Sequence, residues 1–198
     1  MVSLRSWACT GRLIVAGLLG VAIAGCSSDA PAPMRTVSNF EVERYLGQWH
    51  QVAAVPAWFQ SECAAHTTAS YTLGDDGLLE VLNSCDKADG SRKQAEARAR
   101  FLDSGSDGRL EVTFVEVLGS WIWPAAGDYW IIGLDPDYQW SVVGQPSREY
   151  AWILARSQSL DLQTLQEIRH ILESQAYDTC RLVLTTPEQQ GRLCDATR

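Results

Sequence analysis

Eight short apolar-rich runs, each cut off by a turn signal, constrain this 198-residue chain more than any other feature. They cover residues 49–55, 66–73, 78–85, 93–102, 109–117, 128–134, 138–143 and 150–156. Between them stand Gly74-Asp75-Asp76-Gly77, residues 103–108, Asp135-Pro136-Asp137 and Gly144-Gln145-Pro146-Ser147. Short connections between successive strands predict an antiparallel meander. Eight such strands close most naturally into an up-and-down barrel, which leaves no sheet edge exposed. Ala97, Ala99 and Phe101 alternate with Glu96, Arg98 and Arg100, and Val112 shares a face with Phe114. A two-layer sandwich shares that alternation; small and aromatic residues on one face suit a barrel with a cavity better. The expected fold is all-β: an eight-stranded barrel with one C-terminal helix outside. The helix is read from Leu162, Leu165, Ile168, Ile171 and Leu172, with Asp161 or Ser159 as its cap. Residues 181–184 read as a last short strand, followed by a polar tail held by Cys194.

The strand ladder has a defined starting point. In Asn39-Phe40-Glu41-Val42-Glu43-Arg44-Tyr45-Leu46-Gly47-Gln48-Trp49 a helical turn meets Gly47, where a residue without a Cβ turns the chain sharply into a strand. Trp49 then opens an alternating segment, well placed to plug the narrow end of a closed sheet.

Residues 1–25 read as an export signal. Arg5 and Arg12 precede an apolar run too short to span a bilayer. The ending Ile23-Ala24-Gly25-Cys26 resembles a bacterial lipobox, which implies lipidation of Cys26. Ser27, rather than Asp, follows Cys26, and this resembles sorting to the outer membrane, with the chain on the periplasmic face. Residues 26–36 form a Pro-rich tether and 37–198 a single domain. The chain carries 16 Lys+Arg against 24 Asp+Glu; without the two signal arginines the balance is −10, with no basic cluster for nucleic acid. Cys63, Cys85, Cys180 and Cys194 remain once the signal and lipobox cysteines are set aside, an even number that predicts two disulfides in an exported chain. No Cys-x-x-Cys or His-x-x-x-His spacing calls for a metal, and no cofactor is expected.

Three stretches together resemble the lipocalin family, in particular its bacterial outer-membrane lipoproteins and apolipoprotein D. The first is the Gly-x-Trp block ending at Trp49. The second is Leu134-Asp135-Pro136-Asp137-Tyr138, standing where the family has a Thr-Asp-Tyr type turn. The third is Trp152-Ile153-Leu154-Ala155-Arg156. The resemblance implies that Gly47, Trp49, Asp135, Tyr138 and Arg156 gather at the closed end, with Arg156 packed over Trp49. His50, where relatives commonly have Tyr, and Pro136 depart from the pattern.

Four loops are then expected around the mouth. Residues 55–65 carry Trp58 and Phe59, 118–127 carry Trp121, Ile122 and Trp123, and 144–149 carry Arg148; 86–92 is polar. The loop aromatics read either as a lid or as a membrane contact. Strand parity puts Ala53, Thr67, Ala69, Tyr71, Val81, Asn83, Val112, Phe114, Tyr129, Ile131, Val143, Tyr150 and Trp152 inside. With Trp58, Phe59, Trp123 and Arg148 at the rim, these form the expected ligand site. Cys63 and Cys85 flank one hairpin, favouring Cys63–Cys85 with Cys180–Cys194; the other lipocalin-like arrangement is Cys63–Cys194 with Cys85–Cys180. No catalysis is expected: there is no Gly-x-Ser-x-Gly elbow, and the one acid/base pair in reach is His66 with Glu62. The expected function is binding of a fatty acid or lysophospholipid for envelope maintenance, by a monomer or homodimer. The alternative is an envelope interaction protein using its Trp-rich loops, with a filled cavity.

Overall fold

The computed structural model describes residues 31–103 and 107–198. The signal, Cys26 and the start of the tether lie outside the described residues. Ten main strands and one small hairpin form: β1 (Gly47–Ala54), β2 (Ala65–Leu73), β3 (Leu79–Asp86), β4 (Arg92–Phe101), β5 (Arg109–Thr113), the hairpin β6 (Glu116–Val117) and β7 (Ser120–Trp121), β8 (Gly127–Leu134), β9 (Trp140–Gly144), β10 (Ala151–Ala155), β11 (Val183–Thr186) and β12 (Gln189–Arg192). The order β1-β2-β3-β4-β5-β8-β9-β10 returns to β1, where His50 pairs with Ala155, so eight antiparallel strands close a ring. That closure decides for a barrel over a sandwich.

Two departures from the expected ladder shape the site. The fifth strand stops at Thr113 instead of continuing to Val117. There the Thr113 hydroxyl donates to the Ile122 carbonyl and accepts from the Val115 amide, which turns the chain out of the sheet. The C-terminal tail is also more ordered than its polarity predicts. β11 pairs with β1 at Ala53 and Ala54, where β2 has left β1, and β12 continues the sheet.

Two apolar clusters share the barrel wall. The inner one holds Trp49, Tyr45, Tyr71, Leu79, Val81, Ala97, Ala99, Leu110, Ile131 and Val143. The outer one lies beneath helix α2 (Leu162–Ser174), numbered after the one-turn helix α1 (Val42–Tyr45). Leu165, Ile168 and Leu172 of α2 are buried against Val52, Val142 and Ile153 of the wall. Asp161 is the cap: its carboxylate accepts from the Thr164 amide at 2.8 Å, and that bond holds it below the usual carboxylate range. Disulfides join Cys63 to Cys85 and Cys180 to Cys194. The first ties the β1–β2 loop to the end of β3; the second ties the segment after α2 to a final helical turn, α3 (Leu193–Ala196).

Candidate binding site in the barrel

The closed end is built from the three motif stretches. Trp49 is fully buried, and its indole N–H donates to the Tyr45 carbonyl at 2.8 Å. The Arg156 guanidinium lies 3.8 Å from the Trp49 ring and donates to the carbonyls of Gln48, Arg44 and Leu46 at 2.8–2.9 Å. A planar fork can serve a ring face and several carbonyls at once, which an ammonium cannot. Gly47 has φ +91°, a conformation that favours glycine, while a Cβ there would meet that guanidinium only at an ordinary contact distance of 3.5 Å. Pro136 sits within the turn without disturbing it: the Asp135 carboxylate accepts from the amides of Asp137 and Gln139 at 2.9 and 3.0 Å. Tyr138 closes the set, its hydroxyl accepting from the Glu41 amide at 2.9 Å.

Above this plug lies a floor of hydroxyls. Tyr45 donates to Ser141, Tyr129 stands 3.0 Å from Tyr45, and Tyr71 stands 2.7 Å from Tyr129. The three phenols and Ser141 thus pair with one another. Burial pushes the Tyr45 phenol up to about 12 and raises Tyr71 and Tyr129 well above their ordinary value. Desolvation penalises negative charge at this depth.

Higher up, the concave face is lined by small side chains and becomes accessible only in part. Ala69 faces Asn83 and Asn83 faces Ala95, while Val81 faces Ala97 and Ala99 faces Val112. Asn83, Ala95, Val112 and Trp152 remain partly accessible although they point inward. Ile131 and Val143 complete the lower wall. Lys93 has the parity of Ala95 and Ala97 and stands at the rim, bonded to Glu62 at 2.5 Å. That bond holds the Glu62 carboxyl below its usual range.

Several expected residues lie elsewhere. Ala53 belongs to the outer cluster, because a bulge between Gln51 and Ala53 shifts the register of β1. Gln51, before the bulge, keeps the inward face of Trp49, paired with Leu154, and its amide oxygen accepts from Gln60 at 2.9 Å. Thr67 falls in a second register shift, between Ala65 and Thr68, beside His50 and Thr185. Phe114 lies past the end of β5 and is 50% exposed. Trp123 is not at the mouth. The returning limb of the loop after β5 runs down the outside, where Trp121 lies 5.7 Å from Arg98 and Trp123 stacks 4.1 Å from Arg100, both outward-facing on β4. Arg148 is not free for a ligand: its guanidinium donates to the carbonyls of Gln175, Pro146 and Ala32. His66 pairs with Asp86 at 2.9 Å and not with Glu62. At the rim the helical turn Trp58–Gln60 divides its faces. Gln60 reaches inward to Gln51 and accepts from Trp152, Phe59 leans on Tyr150, and Trp58 points to solvent. Among the described residues no group of three or more His, Cys, Asp or Glu could hold a metal.

The lipocalin-like domain family matches residues 40–187, which spans the whole ring and α2. The chain is a lipocalin. Temperature-induced lipocalin-1 of Arabidopsis thaliana is 38% identical over 150 residues, covering 75% of this lipocalin and 80% of that protein. The outer membrane lipoprotein Blc of Escherichia coli (strain K12) is 31% identical over 173 residues, covering 86% and 93%. Apolipoprotein D of Macaca fascicularis is 30% identical over 186 residues, covering 88% and 92%. Among solved structures, insecticyanin from the tobacco hornworm Manduca sexta superposes with a TM-score of 0.62 at 18% identity, over 79% of this lipocalin and 85% of that chain. At that identity the likeness concerns the fold alone.

Proposed function

We propose that this lipocalin carries a lipid with one acyl chain, a fatty acid or lysophospholipid, tail down in the barrel. The observation behind this reading is the gradient along the concave face. The floor pairs its hydroxyls with one another and penalises charge, the face above it is lined by small and apolar side chains of which Ala95, Val112 and Trp152 stay accessible, and polar groups gather toward the rim. An acyl chain matches the middle, and its head meets Asn83, Gln60 and Lys93. Tail-first insertion follows, because burial at the floor penalises the charge of a carboxylate. The relatives named outer membrane lipoprotein and apolipoprotein D support a lipid-linked role. With the Cys26 lipobox, they support attachment to the periplasmic face of the outer membrane in envelope maintenance.

Titration of the unlipidated chain with a fatty acid and a lysophospholipid tests this through quenching of its tryptophans. Saturation near micromolar is expected, an ordinary affinity for such a site. Ala97→Trp fills the middle of the barrel and should abolish the response while the far-ultraviolet spectrum is retained. Undiminished binding by that folded variant would place the lipid outside the barrel.

A further inference from the structure

The described chain begins with a strap, residues 31–38, that runs up the outer wall. At the base, Phe40 packs on Tyr138 and Phe101 beneath the barrel. Moving back toward the N-terminus, Val37 donates its amide to the Ile131 carbonyl at 2.9 Å. Arg35 exchanges two hydrogen bonds with the Gln175 side chain, at 3.1 and 2.9 Å. Ala32 gives its carbonyl to Arg148 at 2.6 Å. Arg148 belongs to the β9–β10 loop, at the open end. The strap therefore leaves the barrel at the rim. Cys26 is six peptide links further on, a reach of roughly 20 Å at full extension.

The same end holds most of the unexplained apolar surface. Among the described residues, nine large hydrophobic side chains are exposed, and six lie on two open-end loops: Trp58, Phe59, Phe114, Val115, Val117 and Leu118. The tip of the β6–β7 hairpin is the clearest case. Leu118 and Gly119 have φ of 51° and 77° in a two-residue turn whose first position favours Asn, Asp or Gly. Leucine there is strained and packs against nothing, at 101% relative exposure. Folding supplies no reason for it; contact with an apolar medium does. Trp58, at 79% exposure, projects from the other loop, and its neighbour Phe59 leans on Tyr150, two residues from Arg148.

We infer that the Trp58–Phe59 turn and the Val117–Leu118 tip dip into the lipid leaflet to which Cys26 is attached, with the strap clamped by Arg148 setting the mouth against that leaflet. This rests on the lipidated-carrier reading of the Cys26 lipobox and adds the direction in which the barrel opens. A lipid would then pass between leaflet and barrel without crossing water. The net negative charge of the chain makes the contact apolar rather than electrostatic.

The test uses the full lipidated chain in phosphatidylcholine vesicles containing brominated acyl chains. An environment-sensitive fluorophore is attached through Leu118→Cys in one sample and through Asp76→Cys, in the β2–β3 turn at the closed end, in another. Several-fold stronger quenching at position 118 than at 76 is expected. Equal quenching, stronger quenching at 76, or none at either overturns the inference. Adding Arg148→Ala to the position 118 sample should bring its quenching down toward the closed-end level. Unchanged quenching would show that the strap does not orient the barrel. The lysophospholipid titration of the unlipidated chain separates the two readings: if it saturates while the vesicle contrast is absent, orientation alone fails. If the contrast stands without saturation, the carrier role alone fails.

Discussion

The two ends of the barrel are built by opposite rules. At the closed end the motif residues are partnered and packed: Arg156 serves three backbone carbonyls at short range and a ring face, and Trp49 has no exposed surface. At the open end β5 pairs with only the lower part of β4, from Arg98 to Phe101, while β3 follows β4 from Arg92 to Ala99. The wall is thus uneven in height, inward residues stay accessible, and hydrophobic side chains face outward. The lesson is a division of labour within one sheet. Stability is concentrated where backbone carbonyls converge on one cation, which leaves the rim free to keep exposed groups that folding alone would not select.

The largest test of that contrast is Trp49→Ala. Loss of a fully buried indole should cost roughly 3–5 kcal/mol, and more if the guanidinium loses its seat. Thermal unfolding of the variant should fall by about 10 °C for a domain of this size; a shift near zero would remove the plug from the account. Arg156→Lys keeps the charge and loses the fork. It should cost about 2 kcal/mol, as several carbonyls lose a donor, with lipid affinity unchanged. Altered affinity at intact stability would mean that the two ends are coupled.

Leu118→Gly sharpens the comparison from the other side. It relieves a strained left-handed residue and should raise stability by about 1 kcal/mol in denaturant unfolding. The same change should weaken vesicle contact, so that the rim becomes more stable as it becomes less useful; destabilisation would point to a packing role for Leu118. The smallest effect expected is on pH. Burial, followed by the nearby His66, lowers the His50 pKa below its usual 6.5. The folded state therefore favours neutral His50, a contribution fully present above about pH 6.5 and lost as pH falls through the lowered value. His50→Gln should flatten that part of the melting-temperature profile and leave the rest unchanged.

Much of the frame was legible because its signals are local. Alternation with a period of two marked the eight ring strands, Asp161 and the leucine spacing marked α2, and Gly47 marked the turn into β1. Residues near one another in sequence set these patterns whatever the rest of the chain does. The closed-end motif was legible for the same reason, since each of its stretches is short and keeps its parity up to the plug.

The open end was not legible from pattern alone. Gln51 keeps the face of Trp49 while Ala53 leaves it at a bulge, and one extra residue reverses the parity of everything beyond it. Trp121 and Trp123 went to the outer wall because Arg98 and Arg100 wait there from another strand. Arg148 looked available in sequence, yet its donors are taken by carbonyls 27 and 116 residues away. Local pattern was enough to set which segments are strands, which is the helix and which end is sealed. The tertiary structure decided where the register slips, which cation meets a ligand and at which end the strap departs, because those outcomes depend on contacts between residues that no local period connects.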